Sequence, residues 1–127
     1  MNSEKVIFAF FIVLALTLNY GFYLGDITDP GQHNIYELFA ALVVSLISTV
    51  LKVGDRTHIG SVFLATSLVA DLQLIAAAVV WGITVNVLSE PLTGASLATV
   101  VSLAGGALLA NVISVILLVA ETVSLRR

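Results

Sequence analysis

Asp71 is the residue with the most chemical leverage, because it interrupts an otherwise apolar stretch of the chain. It stands about twelve positions into that stretch, roughly 18 Å from its start and so near the middle of a bilayer core. A carboxylate at such depth is costly. Acids placed there mark ion paths, proton relays or ligand sites, or they serve as hydrogen-bonding glue between helices. Three amides reach a similar depth. Asn19 lies about fourteen residues in from Lys5, Asn111 about twelve from Val123, and Gln73 two beyond Asp71. Asn19, Asp71, Gln73 and Asn111 are therefore expected to form one polar layer. It either lines a narrow path or joins helices through hydrogen bonds of about 0.6 kcal/mol each. Ser45, Ser48 and Thr49 count as nearer the cytoplasm.

A second group lies outside the apolar stretches. Asp26, Asp29, His33 and Glu37 follow at spacings of three, four and four. With a helix starting near Pro30, His33 and Glu37 share a face and Asp29 caps it. Such a group either collects cations at an outer mouth, binds a divalent metal weakly, or is simply a capped, solvated helix start. Elsewhere there is no Ser/His/Asp set at one depth, no phosphate-cradling glycine loop and no metal-hydrolase motif. The expectation is a non-enzyme with no cofactor and no metal centre.

The elements that must hold these residues are four apolar segments, about 6–24, 36–53, 59–88 and 94–123. The first is long and lacks a small-x-small cleavage pattern, so it reads as an anchor that stays. The last two, at about 1.5 Å per residue, measure about 45 Å and must tilt, kink or project beyond a core of about 30 Å. Gly105-Gly106 offers a bend in the fourth. Asp29-Pro30 and Ser89-Glu90-Pro91 read as N-caps followed by proline, and Gly54-Asp55-Arg56-Thr57 as a glycine stop and a restart.

Composition demands the same architecture. Apolar residues make up 59% of the chain, charged residues 10%, and the mean hydropathy is +1.10. A soluble domain carries roughly 25% charged residues, and one this small leaves too much surface facing water to hide the excess. Five basic residues and a net charge of −3 exclude a nucleic-acid partner. The fold class is thus an all-α four-helix transmembrane bundle, a single domain over 1–127 with the lipid bilayer as its first partner. Four crossings put Lys5, Lys52, Arg56, Arg126 and Arg127 on one side, opposite Asp26, Asp29, Glu37 and Glu90. The positive-inside rule then places both termini in the cytoplasm. Tyr20, Tyr23, Tyr36 and Trp81 fall near the other boundary, where aromatic belts form.

Two packing signals point to assembly. Asp71 shares a helix face with Ser67, Ala78 and Gly82, while Gln73 lies about 200° away with Thr66, Ala70, Ala77 and Thr84. Neither face suits lipid, so the third helix is expected to be enclosed on both sides, which in a four-helix chain implies a homo-oligomer. Gly94, Ala98, Ser102, Gly106, Ala110 and Ser114 form a small-residue stripe at four-residue spacing on the fourth helix. Such a stripe lets another helix approach closely, in this chain or in a larger membrane partner.

The segments EKVIFAFFIVLALTLNYGFYLGD, YELFAALVVSLISTVLKVGDRT and ATSLVADLQLIAAAVVWG resemble a family of small bacterial inner-membrane proteins without an assigned activity. The resemblance covers most of the chain and implies a multi-pass bacterial inner-membrane setting, with no site residues attached. Small multidrug transporters carry an essential acid in their first helix, which is missing from Val6–Leu24. Fluoride channels break their third helix with Gly, Thr, Ser and Phe, and nothing of the kind occurs over Ile59–Leu88. Two functions remain open. One is an oligomeric cation or proton channel, or an ion-coupled transporter, built on Asp71. The other is a structural or accessory subunit that docks a partner through the fourth-helix stripe. A lipid or amphiphile site between protomers is a third, weaker idea.

Overall fold

The computed structural model describes residues 3–25, 31 and 33–125. Four helices account for nearly all of them: α1 (Ser3–Tyr23), α2 (Ile35–Lys52), α3 (His58–Gly82) and α4 (Gly94–Leu125). All four are long and apolar enough to cross a membrane. Among the described residues there is no strand. Large apolar side chains such as Phe10, Leu72, Leu109 and Ile116 cover the outside. That surface suits lipid and not water. Lys5, Thr57, Glu121 and Ser124 line one common cleft, which puts the start of α1, the start of α3 and the end of α4 at the same end of the bundle. That end also holds Lys52, and is called the basic end below.

The caps differ in part from the sequence expectation. Asn34, accepting from Tyr36 N–H at 2.8 Å, caps α2, so the helix does not begin at Pro30. Asp29-Pro30 itself lies outside the described residues. The restart of α3 follows the expected pattern: Gly54 takes a left-handed φ of 98°, and Thr57 Oγ1 accepts from Gly60 N–H at 3.0 Å. Ser89-Glu90-Pro91, by contrast, does not open α4. α3 instead unwinds through a π-helical turn (Ile83–Val87), closes with Ser89 at a left-handed φ of 54°, and α4 begins only at Gly94. With that turn the third segment stays helical over the 30 residues His58–Val87. No break occurs in α4 at Gly105-Gly106. Both glycines are contact points, the first under the Tyr23 ring and the second under the Gln73 amide.

The core is thin, as suits a bundle in lipid. Its larger part joins Phe22, Leu38, Ala41, Leu74, Ala77, Leu97, Val100, Ala104 and Ala107 at and beyond mid-depth on the far side from the basic end. A smaller part, Phe8, Ile12 and Phe63, packs near the basic end. α3 touches α2 on one side and α4 on the other. Within one chain α2 covers Ser67 and Asp71 and α4 packs along the other face, where Ser114 meets Thr66. Farther out, Ala78 and Gly82 are only half-buried, and nothing stands within 4 Å of a side chain placed at Gly82.

Candidate functional site: an intramembrane acid between α2 and α3

Asp71 is 4% exposed. Ser45 Oγ donates to its Oδ1 at 2.6 Å, and Thr49 Oγ1 lies 2.5 Å from its Oδ2. Both hydroxyls come from α2, one turn apart, so the acid is held between two antiparallel helices. Counting from helix ends placed Ser45 and Thr49 too shallow for this. The hydrogen bonds show that the end of α2 and the start of α3 do not lie at one depth, as that count assumes. The lean of each Cα–Cβ bond toward the N-terminus of its own helix adds to this in the same direction, Asp71 leaning toward the basic end and Ser45 and Thr49 away from it. Thr49 Oγ1 is also 3.0 Å from Ser45 O. It carries one proton and faces two acceptors, so it serves them one at a time.

Polarity around this acid is one-sided. Toward the basic end come Ser48 and Ser67, both buried, and then Lys52. The Lys52 side chain is only 12% exposed, and its Nζ stands 3.3 Å from Asp55 Oδ2. The same Nζ lies 4.2 Å from the Phe8 ring centroid and 5.2 Å from that of Phe63, within cation–π range. The two rings pack edge to face at 5.1 Å. A cleft of about 570 Å³, lined by Lys5, Phe8, Lys52 and Asp55 among others, opens beside them. In the other direction along the seam stand Leu38 and Ala41 of α2 and Leu74 of α3, all fully buried and apolar. Ser45, Ser48, Thr49 and Lys52 form a polar stripe at three- to four-residue spacing on α2. That stripe was the available signal for the site.

The expected four-membered layer is divided. Asn19, fully buried, braces α4: its oxygen accepts from Leu108 N–H at 2.9 Å and from Asn111 Nδ2 at 3.2 Å, and its nitrogen donates to Ala104 O at 3.2 Å. This amide orientation is assigned because it turns the oxygen toward donors and the nitrogen toward an acceptor. Gln73 instead lies across Gly106, and its buried Oε1 has no hydrogen-bond partner among the described residues. Asp71 makes hydrogen bonds to neither. The small-residue stripe is divided too. Each four-residue step turns a helix about 40° past a full circle, so the row winds around α4. Gly106, Ala110 and Ser114 face α3, with Ser114 Oγ 2.7 Å from Thr66 Oγ1, while Gly94 and Ser102 are exposed and Ala98 is half-buried.

A family described as being of unknown function (DUF6394) matches residues 32–122. The chain belongs to this family. No curated protein and no solved structure matches. The DUF6394 match takes in Asp71, its α2 hydroxyls and Lys52, but stops short of Asn19 and Phe8 on α1.

Of the outer acidic group the structure describes His33 and Glu37, which sit in different settings. His33 lies before α2, not in it, and is 2% exposed. Its Nδ1 is 2.7 Å from Phe22 O, which can only accept, so Nδ1 carries the proton. Its ring packs beside that of Phe22. Glu37 leans on Gly21. Asp26 and Asp29 lie outside the described residues. Among the described residues no three His, Asp or Glu side chains gather as metal ligands.

Proposed function

We propose that this small membrane protein binds a proton or another small cation on Asp71 and couples that binding to movement of the ion across the bilayer. The observation that carries the reading is the one-sided polarity of the site. Buried hydroxyls run along the seam from Lys52, at the edge of a cleft at the basic end, to Asp71, and the buried residues next beyond it, Leu38, Ala41 and Leu74, are apolar. That arrangement suits a loading site which opens to one face at a time better than a standing pore. The excess of Lys and Arg at the loading end favours the cytoplasm of a bacterial inner membrane. No part of the proposal needs a catalytic group or a cofactor.

The test is ion flux in liposomes holding the purified protein, wild type beside Asp71→Asn. Flux that depends on a proton or cation gradient, and falls at least about tenfold in the variant, is the expected result. Absence of flux from a folded, monodisperse wild type refutes the reading. A second reading rests on a different observation, the outer half of the α4 stripe, where Gly94 and Ser102 are exposed and Ala98 half-buried. In that reading these residues seat a helix of a second copy or of a larger membrane protein. Asp71 then ties α2 to α3 and does nothing else.

A further inference from the structure

We infer that the ion taken by Asp71 is the proton, and that the Lys52 ammonium is the fixed charge that keeps metal cations from the site. This rests on the reading of Asp71 as the ion-carrying group.

The first observation is spacing. The Asp71 oxygens stand 2.6 and 2.5 Å from the Ser45 and Thr49 hydroxyls. Those are hydrogen-bond distances between oxygens. A metal ion would need each oxygen at roughly 2.0–2.6 Å from its own centre, and hence the oxygens well apart from one another. Only a proton fits between them as they stand. The second observation is the chemistry of the partners. Thr49 Oγ1 reaches both Asp71 Oδ2 and Ser45 O. It can pass its own proton to an ionised Asp71 while accepting another on its free lone pair. The carboxylate becomes the acid, the hydroxyl is regenerated, and one proton has moved inward from the basic end.

The third observation is the position of Lys52. Its Nζ is held over Phe8 and Phe63 and against Asp55, where the cleft meets the polar stripe of α2. It lies three residues, about 4.5 Å of helix, beyond Thr49. A metal cation moving from the cleft along the α2 stripe must pass this ammonium, 12% exposed and set against two aromatic rings, where like charges repel more strongly than in water. A proton passed between hydrogen-bonding groups need not cross as a free cation. The remaining charged groups of the cleft, Glu4, Lys5 and Asp55, line its mouth, and no other charged side chain of the described α2 or α3 lies between Lys52 and Asp71.

Flux in liposomes tests this with protons, Na⁺ and K⁺ measured separately. Wild type should pass protons and neither metal ion. Lys52→Gln should still pass protons and should admit Na⁺ or K⁺ at least about tenfold faster than wild type. The chain contains no cysteine, so Lys52→Cys can be labelled at that position alone. An aminoethyl thiol reagent should restore exclusion and a neutral reagent of similar size should not. Three results overturn the inference: Na⁺ or K⁺ flux through wild type, unchanged exclusion in folded Lys52→Gln, or equal effects of the two labels. Metal-ion flux that Asp71→Asn abolishes would leave the ion-carrying reading standing. No flux of any ion from folded wild type removes both. The wild-type measurement decides ion identity even where the variants do not fold.

Discussion

The α2–α3 seam and the α1–α4 seam each bury polar groups at mid-depth, and they satisfy them in opposite ways. On the α1–α4 seam both ends of the Asn19 amide are engaged, its oxygen by Leu108 N–H and Asn111 and its nitrogen by Ala104 O. No proton can leave or arrive without breaking a pair. On the α2–α3 seam an acid meets two hydroxyls, and one of these has two acceptors for a single proton. That seam holds more than one hydrogen-bonding pattern with the same packing. A saturated network makes good glue, whereas a network with a choice can carry an ion.

Substitutions on each seam can break this division. The largest expected effect is Gly106→Leu, where the new side chain meets the Gln73 amide at the α3–α4 contact. A loss of about 2–3 kcal/mol is expected, read from reversible unfolding in mixed micelles. Ser102→Leu, on the exposed half of the same stripe, should stay within about 0.5 kcal/mol. Equal effects would mean that the stripe acts as one surface after all. Next comes Asn19→Ala, which strands Asn111 and removes the brace on α4, for about 2 kcal/mol. Ion flux should persist in it. Loss of flux in folded Asn19→Ala would place the amides on the ion path. A double-mutant cycle over Asn19 and Asn111 should return about 0.6 kcal/mol, the usual scale for a hydrogen bond between membrane helices.

Much of the fold was legible because lipid imposes so few options. Four apolar segments, the glycine restart at Gly54 and Asp71 itself all follow from composition and length. What was not legible depended on where helices sit against each other. Depth counted from helix ends treats every end as lying in one plane, and it separated Ser45 and Thr49 from Asp71 while grouping Asp71 with Asn19. The ends of α2 and α3 lie at different depths, and the opposed lean of their side chains adds to the difference. Four-residue spacing in the α4 stripe looked like one face only because the drift of about 40° per step was left out. The burial of His33 against Phe22 and the seat of Lys52 over two aromatic rings come from tertiary contacts between distant parts of the chain, for which local spacing has no signature.

The smallest expected effect concerns the foot of the α2–α3 seam, in the turn outside the membrane spans. The Thr57 hydroxyl, then the Thr57 N–H, hold the Asp55 carboxyl below its ordinary value of 3.8, with the Lys52 ammonium adding to this and burial opposing it. A carboxylate depressed in the folded state contributes stability that is full above the unfolded value and is lost as pH falls through the folded one. Thermal unfolding in detergent should therefore be insensitive to this group above 3.8 and decline below it. Asp55→Asn should lose that part of the acid decline. The change should be slight, because Asp55 is a quarter exposed and water screens it. An undiminished acid decline in Asp55→Asn would move the titrating group elsewhere, and would separate the turn from the Lys52 contact it is argued to hold. Loss of the decline without any change in proton flux would make the Asp55 pairing a brace for the turn, and leave the aromatic rings to hold the ammonium in place.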